Sequence, residues 1–386
     1  MNTDAEFEIF IVTAPGLESA LGAEVREKGF REPATIKGGV TVKGGWPEVW
    51  RANLELRGAT RVLARVAEFR ALHLAQLDKR ARRVAWSEIL RADTPFRVEA
   101  SCKASRIYHA GAAAQRIERA IAEATGAPVS AEAEVVVKAR IDDDLCTISI
   151  DTSGESLHKR GHKDAIHKAP LRETLASLFL RQAGYTGTEP VVDPMCGSGT
   201  FVIEAAEIAA GLQPGRSRGF AFERLASFDA AAWAALRGAG HAVAPAVRFH
   251  GSDRDGGAVT MSRANAERAG VAAWTEFKQQ AISDLTPPEG PPGLVIVNPP
   301  YGGRLGDKKE LVPLYGAFGK TLLARFAGWR VGLVTSEPSL AKATGLPFEQ
   351  PAGSVSNGGL RVTLYTTGPL PGLRETPGET PGEGQG

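Results

Sequence analysis

"PVVDPMCGSGTFVIEAAEIAAG", residues 190–211, divides into three parts with different local preferences. A short apolar run ends at Asp193, a loop with two glycines follows, and helical periodicity begins after Gly199. Gly197 and Gly199 can adopt a positive φ and allow a ligand to approach the backbone closely. The stretch therefore predicts a strand, a ligand-binding loop and a helix, the repeating unit of a doubly wound parallel sheet.

This glycine loop differs from the loop that binds dinucleotides. The dinucleotide loop reads GxGxxG and holds a pyrophosphate at the helix N-terminus, whereas GSGT has no third glycine and follows an acid. An acid there repels phosphate and suits a cationic ligand such as S-adenosylmethionine, which carries a sulfonium, an ammonium and no phosphate. We therefore predict that this cofactor contacts the following residues: Asp193, Pro194, Cys196, Gly197, Ser198, Gly199 and Thr200.

Two further acids follow predicted strands. Asp253, in "GSDRD" (251–255), is expected to accept hydrogen bonds from ribose hydroxyls, as an acid at this strand end does in nucleotide-binding folds. Asp284, in "QQAISDL" (279–285), is expected to accept from an adenine amino group. Each acid alone could instead cap a helix or turn. Three acids at successive strand ends favour a ligand crevice.

The stretch "NPPYGGRLG" (298–306) directly follows the apolar "GLVIV". Its prolines and glycines could simply end a strand and turn the chain. They also suit methyl transfer to an exocyclic amine, in which both N–H groups must be held by acceptors. Asn298, which also borders the predicted cofactor site, offers its side-chain oxygen, and Pro299 offers a carbonyl. Pro299 and Pro300 restrict φ, and Tyr301 can stack on a flipped base.

The rest of the chain predicts an α/β protein with smaller units ahead of the parallel sheet. Alternating strands and helices predict α+β units over residues 1–60 and 61–155, with one helix over 73–90. An amphipathic helix over 171–185 opens the region with the repeated strand–loop–helix pattern. The Pro/Gly-rich residues 368–386 are predicted to be disordered.

The motifs "DPMCGSGT" and "NPPY" together resemble those of a class I S-adenosylmethionine-dependent amino-methyltransferase. Within that class, the order of several segments resembles the guanine-N2 methyltransferase of 23S ribosomal RNA, whose family has a THUMP domain ahead of the catalytic domain. The resemblance extends over about residues 6–367. It rests on "TAPGLESALGAEV", "DTSGESLHKRGHKDAIHKAPLRETLAS", "DPMCGSGTFVIEAA", "GSDRD", "NPPYGGRLG" and "NGGLRV".

This resemblance implies a ferredoxin-like unit over residues 1–60, a THUMP RNA-binding domain over 61–155 and a Rossmann-like methyltransferase domain over 165–367. It carries the cofactor role onto Asp193, Gly197, Gly199, Asp253 and Asp284, and the catalytic role onto Asn298, Pro299 and Tyr301. The chain resembles the stand-alone form, because the fused form has a second methyltransferase unit. His162 departs from the family pattern, in which an aromatic residue is expected.

Charged residues and composition indicate the partners. The basic run Lys79, Arg80, Arg82 and Arg83, together with Arg304, is predicted to contact RNA phosphates, although a solvated helix face explains the run equally well. Net charge is only +2, and the three cysteines include no CxxC pair. We expect a cytoplasmic protein without a signal peptide, membrane span or metal. The oligomeric state is not predicted.

Other functions remain open from the sequence. A transfer-RNA guanine-N2 methyltransferase with the same domains is the nearest alternative. A DNA adenine-N6 methylase would need a target-recognition domain, and a protein glutamine methyltransferase would not need an RNA-binding unit. A ribosome-assembly factor whose methylation is incidental belongs to a different class of function.

Overall fold

The computed structural model describes residues 6–162, 171–301, 308–351, 353–357 and 359–372. These residues form two compact units. The first comprises the described residues up to 182 together with residues 207–245, and the second comprises residues 183–206 and those from 246 onward. In the described part of the chain, no helix is both long enough and apolar enough to cross a bilayer.

The first unit contains a seven-stranded sheet in the order β2-β3-β1-β4-β7-β6-β5. Neighbouring strands are antiparallel except for β5 and β6, which are parallel. Its strands are β1 (Phe7–Val12), β2 (Arg31–Ile36), β3 (Gly39–Gly44), β4 (Arg61–Arg70), β5 (Phe96–Lys103), β6 (Val135–Asp142) and β7 (Leu145–Asp151).

The described α-helices are numbered along the whole chain. The first unit contains α1–α6 and α8, the second contains α9–α11, and α7 continues from residues of the second into residues of the first. Their bounds are α1 (Glu18–Glu27), α2 (Trp46–Glu55), α3 (Leu74–Ala81), α4 (Trp86–Ile89), α5 (Ala110–Thr125), α6 (Glu173–Gln182), α7 (Thr200–Ala209), α8 (Ala230–Gly238), α9 (Gly256–Ala269), α10 (Lys308–Arg325) and α11 (Pro338–Ala343).

Two of the predicted helices differ from the expectation. The single helix over 73–90 is wrong, because the chain breaks between α3 and α4. The buried Trp86 indole N–H donates to the Ala81 carbonyl at 2.8 Å, which is the acceptor that a continuing helix would give to Ala85. Helix α6 forms within the predicted range. It is not the amphipathic helix that was expected, because residues Glu173 to Leu180 are all buried.

Residues 207–245 belong to the first unit through an aromatic cluster. Phe222 packs edge-on against Trp233, with ring centroids 5.0 Å apart, and Phe220 stacks on Phe222 at 5.1 Å. Trp50 of α2 contacts both Phe222 and Phe228. Burial of these large rings holds the segment against α2, because each ring removes substantial apolar surface from water.

The second unit contains a seven-stranded sheet in the order β10-β9-β8-β11-β12-β14-β13. The five strands from β10 to β12 are parallel, and β14 runs antiparallel to both of its neighbours. Its strands are β8 (Val191–Asp193), β9 (Phe249–Asp253), β10 (Thr275–Gln279), β11 (Leu294–Val297), β12 (Arg330–Thr335), β13 (Ser354–Asn357) and β14 (Leu360–Thr366).

The order of these strands positions the candidate site. From β8 the chain moves outward through β9 to β10, and then returns to the other side of β8 to form β11. Open α/β sheets bind ligands at such a reversal, outside the carboxyl ends of the strands. The predicted Rossmann-like architecture is therefore confirmed. On one side of the sheet, β11 and β12 pack against α10 in a core that includes Val295, Leu333 and Phe318.

Candidate active site

Three predicted site segments lie at the carboxyl ends of neighbouring strands in the second unit's sheet. Asp193 is the last residue of β8, Asp253 is the last residue of β9, and Asn298 directly follows β11. The strands β9 and β11 are the two neighbours of β8, and all three are parallel. The carboxyl ends of parallel strands lie at the same edge, so the fold brings these three residues together.

The glycine loop has the conformation that its sequence predicts. Gly197 and Gly199 have φ values of 54° and 82°, a region that side chains disfavour. A Cβ at Gly199 would lie 3.1–3.2 Å from Ser262 and Phe277, whereas a Cβ at Gly197 would meet no described atom within 4 Å. Gly199 is thus required for packing, and Gly197 faces open space that a ligand can occupy.

Two side chains of helix α9 donate hydrogen bonds to carbonyls of the glycine loop. The Ser262 hydroxyl donates to the Gly197 carbonyl at 2.8 Å, and the Asn265 amide donates to the Ser198 carbonyl at 3.0 Å. Both side chains are fully buried. The sequence analysis missed these two residues. Their signal was weak: two small polar residues three positions apart on a helix, the spacing that places side chains on one face.

Asp193 is a buried acid with 3% of its surface exposed. Burial raises its pKa to about 8, and the nearby carboxylate of Asp253 also raises it, while the Met195 N–H that donates to Oδ1 at 3.1 Å opposes the shift. The carboxyl is therefore largely protonated at neutral pH. A cation beside it would favour the ionised form, so the site suits a positively charged ligand.

Asp253 supports the glycine loop directly. Its Oδ2 accepts from the Gly197 N–H at 3.1 Å, and its Oδ1 accepts from the Asp255 N–H at 3.0 Å. A carboxylate has about four acceptor sites, so both oxygens retain capacity for a further donor. The residue therefore has a structural role in addition to the ligand role predicted for it.

The other loop residues line the site without reactive chemistry. Pro194, Cys196, Ser198 and Thr200 are buried, and the Ser198 and Thr200 hydroxyls lie 3.4 Å apart. Burial raises the pKa of the Cys196 thiol well above its usual range, and the neighbouring Asp193 raises it further. A thiol kept protonated is a poor nucleophile, so Cys196 serves as a small packed residue of the loop.

We expected Asp284 at the end of a strand, but the structure places it elsewhere. Strand β10 ends at Gln279, and Asp284 closes a 3₁₀ turn over Ile282–Asp284, where it is exposed. The turn is fixed by Arg325 of α10, which donates to the Ser283 and Leu285 carbonyls at 2.9 Å. A contact of Asp284 with an adenine amino group therefore stays a prediction.

The segment after β11 begins with the amide side chain of Asn298. Oδ1 of Asn298 is buried and has no hydrogen-bond partner among the described residues. Leaving such an oxygen unpaired costs on the order of 1–3 kcal/mol. Buried unsatisfied groups in native proteins are uncommon and call for an explanation. An N–H donor supplied by a bound molecule would satisfy this oxygen.

Pro300 and Tyr301, at the end of the NPPY motif, are held by residues from distant parts of the chain. The Tyr315 hydroxyl of α10 donates to the Pro300 carbonyl at 3.1 Å, and Tyr315 is almost completely buried. The Asn357 amide, the first residue of "NGGLRV", donates to the Tyr301 hydroxyl at 3.5 Å. Burial also raises the pKa of Tyr301. These supporting residues were not identified from the sequence, because they lie far from Asn298 along the chain.

The remaining predicted residues lie elsewhere or outside the described part of the chain. Lys79, Arg80, Arg82 and Arg83 belong to the first unit, and Arg304 lies outside the described residues. His162 is buried in the first unit, with Nε2 3.9 Å from Oε1 of Glu207. Among the described residues, no group of three His, Cys, Asp or Glu side chains could hold a metal ion.

The chain is similar in sequence to curated ribosomal RNA large subunit methyltransferases K/L. It is 36% identical to the ribosomal RNA large subunit methyltransferase K/L of Chromohalobacter salexigens over 89% of its own length and 50% of that protein. The chain spans about half the length of the curated relatives it matches.

Solved structures of similar proteins cover nearly the whole chain. A "possible methylase" from Clostridium difficile 630 has a TM-score of 0.86 and 30% identity, covering 97% of this chain and all of that one. A protein named SMU.472, solved in complex with SAH, has a TM-score of 0.84 and 28% identity, covering 96% of this chain and 99% of that one.

Three family profiles match successive parts of the sequence. Residues 8–63 match the RlmL ferredoxin-like domain, residues 73–151 match the THUMP domain, and residues 160–364 match UPF0020, described as an RMKL-like methyltransferase domain. The last match covers more than half of the chain, and the strand order and glycine loop agree with it. The chain belongs to the UPF0020 family of RMKL-like methyltransferase domains.

Proposed function

We propose that this protein is an S-adenosylmethionine-dependent methyltransferase that modifies the exocyclic N2 of a guanine in 23S ribosomal RNA. The observation that carries the proposal is the buried Oδ1 of Asn298, at the carboxyl ends of the parallel strands, which has no hydrogen-bond partner within the described ranges. The names of the curated relatives support a large-subunit ribosomal RNA substrate. The THUMP match supports RNA as the partner.

The residues at the sheet edge fit the cofactor, which supplies an electrophilic methyl group on a sulfonium. Asp193, whose ionised form a cation would favour at neutral pH, would face the positive groups of the cofactor. Asp253 has acceptor capacity left for ribose hydroxyls, and Gly197 leaves open space at the loop backbone. The complex of SMU.472 with SAH supports the same ligand class.

The segment after β11 would position the amine. Asn298 Oδ1 accepts one N–H of the guanine amino group, and the Pro299 carbonyl accepts the other. The Tyr315 hydroxyl donates to the next carbonyl, that of Pro300, and so supports the segment that presents the Pro299 carbonyl. Tyr301 stacks on the extruded base. Holding both hydrogens directs the nitrogen lone pair toward the methyl group, so rate enhancement comes from orientation and electrostatic stabilisation.

Substitution of Asn298 tests this mechanism. Asn298→Ala is expected to lower kcat by about 10³-fold, the order seen when one preorganised hydrogen-bonding group is lost. Affinity for S-adenosylhomocysteine, measured by isothermal titration, should change by less than about threefold, because the amide serves the substrate. Asn298→Asp is the matched control, since it keeps an acceptor oxygen and should retain more activity. An equal loss of cofactor affinity would contradict this division of roles.

The choice of RNA is tested in cells. Nucleoside mass spectrometry on separately purified ribosomal and transfer RNA would compare a deletion strain with its parent. Loss of N2-methylguanosine only from large-subunit ribosomal RNA supports the proposal. Loss only from transfer RNA moves the assignment to the transfer-RNA enzyme with the same mechanism. If Asn298→Ala rescued every defect of the deletion strain, the main role would be assembly rather than methylation.

The proposed domain arrangement follows the same argument. The disorder predicted over 368–386 is wrong for residues 368–372, because Leu370 is buried and its N–H donates to the Trp329 carbonyl at 2.8 Å, while residues 373–386 lie outside the described part of the chain. We place the ferredoxin-like unit at residues 1–60, the THUMP domain at 61–155 and the methyltransferase domain at 165–367. The family matches over 8–63, 73–151 and 160–364 support these three placements. The cytoplasm is the proposed location, because the ribosomal RNA substrate is found there.

A further inference from the structure

The solvent-facing side of α5 has two exposed arginines near its middle, and an exposed aromatic ring precedes its first residue. Gln115, Arg116 and Arg119 are exposed and lie within one turn on the same side of the helix. Tyr108, two residues before α5, is 85% exposed. A ring so open to solvent contributes little to the core of the first unit, so its aromatic face is available to a partner.

The C-terminal end of α5 has a surplus of positive charge. Arg82 contacts both Asp78 and Glu123, and Arg119 donates to Glu123 at 2.7 Å. These arginines lower the pKa of Glu123 to about 2, so the acid stays ionised and paired. The exposed Lys79, Arg83 and Arg116 make no ion pair among the described residues. Their charge is therefore available to an anionic partner.

The segment that carries Tyr108 is held firmly at the opposite end. The Arg106 N–H donates to Oδ1 of Asp144 at 2.7 Å, and the Asp144 N–H donates to the Ser105 hydroxyl at 3.0 Å. The acids of this turn face arginines: Arg140 contacts Asp142, and Arg70 lies 3.9 Å from Asp143. The ring is thus presented from an ordered loop, which lowers the entropic cost of stacking against it.

We propose that Tyr108, Arg116, Lys79 and Arg83 form a track for single-stranded RNA, here named the α5 track. Tyr108 stacks on one base, and the three cations contact phosphates over the length of α5, about 24 Å for a helix of this size. Stacking requires an unpaired base, so the track favours single strands over duplexes. The inference rests on the proposed RNA substrate and names the surface that would hold it.

Fluorescence anisotropy with the full chain tests the α5 track. A labelled single-stranded RNA of mixed sequence, and the same RNA as a duplex, would be titrated without cofactor at several salt concentrations. Tyr108→Ala is expected to weaken single-strand binding by about tenfold without changing the salt dependence, whereas Tyr108→Phe should bind normally. Arg83→Ala and Arg116→Ala should each reduce the slope of log K against log salt by about 0.7.

Lys28→Ala is the matched control, because this exposed lysine follows α1 next to β2, at the opposite edge of the sheet from β5. Its affinity should stay within about twofold of wild type, and its slope of log K against log salt should differ by less than about 0.2. Wild-type affinity in Tyr108→Ala, tighter binding to the duplex, or equal effects of Lys28→Ala and Arg83→Ala would each overturn the track. Binding is measured separately from methyl transfer, so an inactive protein that still shows these differences would contradict only the proposed function.

Discussion

The loop after β8 and the loop after β11 lie at the same edge of one sheet, yet the protein supports them differently. In the glycine loop, the Gly197 N–H and the Gly197 and Ser198 carbonyls all bond to other residues of the second unit. In the segment after β11, neighbours hold Pro300 and Tyr301, but the Asn298 oxygen has no partner among the described residues.

This difference separates two tasks. A loop that binds a ligand through its backbone must keep one shape, and internal hydrogen bonds maintain that shape at no cost in ligand contacts. A group that acts on a substrate must keep free hydrogen-bonding capacity, and the neighbouring residues then have to hold it in position. Binding and catalysis should therefore divide between the two loops, so that substitutions in one loop change cofactor affinity and substitutions in the other change kcat.

Beyond the loss of kcat already expected for Asn298→Ala, the largest effect is expected at the glycine loop. Gly197→Ala should weaken S-adenosylhomocysteine binding by about 100-fold, because the new methyl group enters the ligand space. In addition, strain at positive φ, of order 1–3 kcal/mol, favours a relaxed loop in the free protein that must be restored on binding. Isothermal titration measures the change. Gly199→Ala is the comparison, since its Cβ would crowd Ser262 and Phe277 and should lower the urea midpoint further than Gly197→Ala. Normal cofactor affinity in Gly197→Ala would show that the loop does not face the ligand.

Binding should also depend on pH through Asp193. Its pKa of about 8 in the free protein means that a cationic ligand must first displace a proton at neutral pH. Affinity should fall by up to about tenfold for each pH unit below 8, as the protonated carboxyl becomes harder to ionise. Isothermal titration between pH 6 and 8, in buffers of different ionisation enthalpy, measures both the affinity and the released proton.

Asp193→Asn is the control for this pH dependence. The amide cannot ionise, so binding should be weaker than wild type at pH 8 and should release less protein-derived proton. The free protein gives a second test, because between the two pKa values the carboxyl ionises in the unfolded chain but stays protonated in the fold, which favours unfolding as pH rises. Wild-type stability should therefore decrease between about pH 4 and pH 8 relative to Asp193→Asn. Parallel stability profiles would contradict the raised pKa.

The smallest effect is expected at the support of the second loop. Tyr315→Phe removes the hydroxyl that donates to the Pro300 carbonyl and should lower kcat by about tenfold, the equivalent of one lost hydrogen bond. Cofactor affinity should not change. Tyr365→Phe, on strand β14 of the same sheet, is the matched control and should leave kcat intact. A shared loss of cofactor affinity and kcat in Tyr315→Phe would mean that the two loops are not separable.

Much of the site could be predicted because its main residues are the last residue of a strand or the first residue after it. Asp193, Asp253 and Asn298 were placed from apolar runs and the residues after them, and the strand ends agree. Asp284 was misplaced because its distance from β10 depends on a turn held by Arg325, which is 40 residues away or more. The break between α3 and α4 was missed because it depends on the burial of one indole ring.

The sequence by itself determined the backbone freedom at Gly197 and Gly199, the fixed φ of Pro299 and Pro300, and the acids and amide that follow the strands. These are local properties of residue types and their spacing. Tertiary structure decided which of those groups are satisfied: Ser262 and Asn265 complete the glycine loop, Tyr315 and Asn357 hold the segment after β11, and burial raises the pKa of Asp193. Hydrogen-bond partners and desolvation arise from residues far apart in the chain, so only the folded sheet brings them into contact.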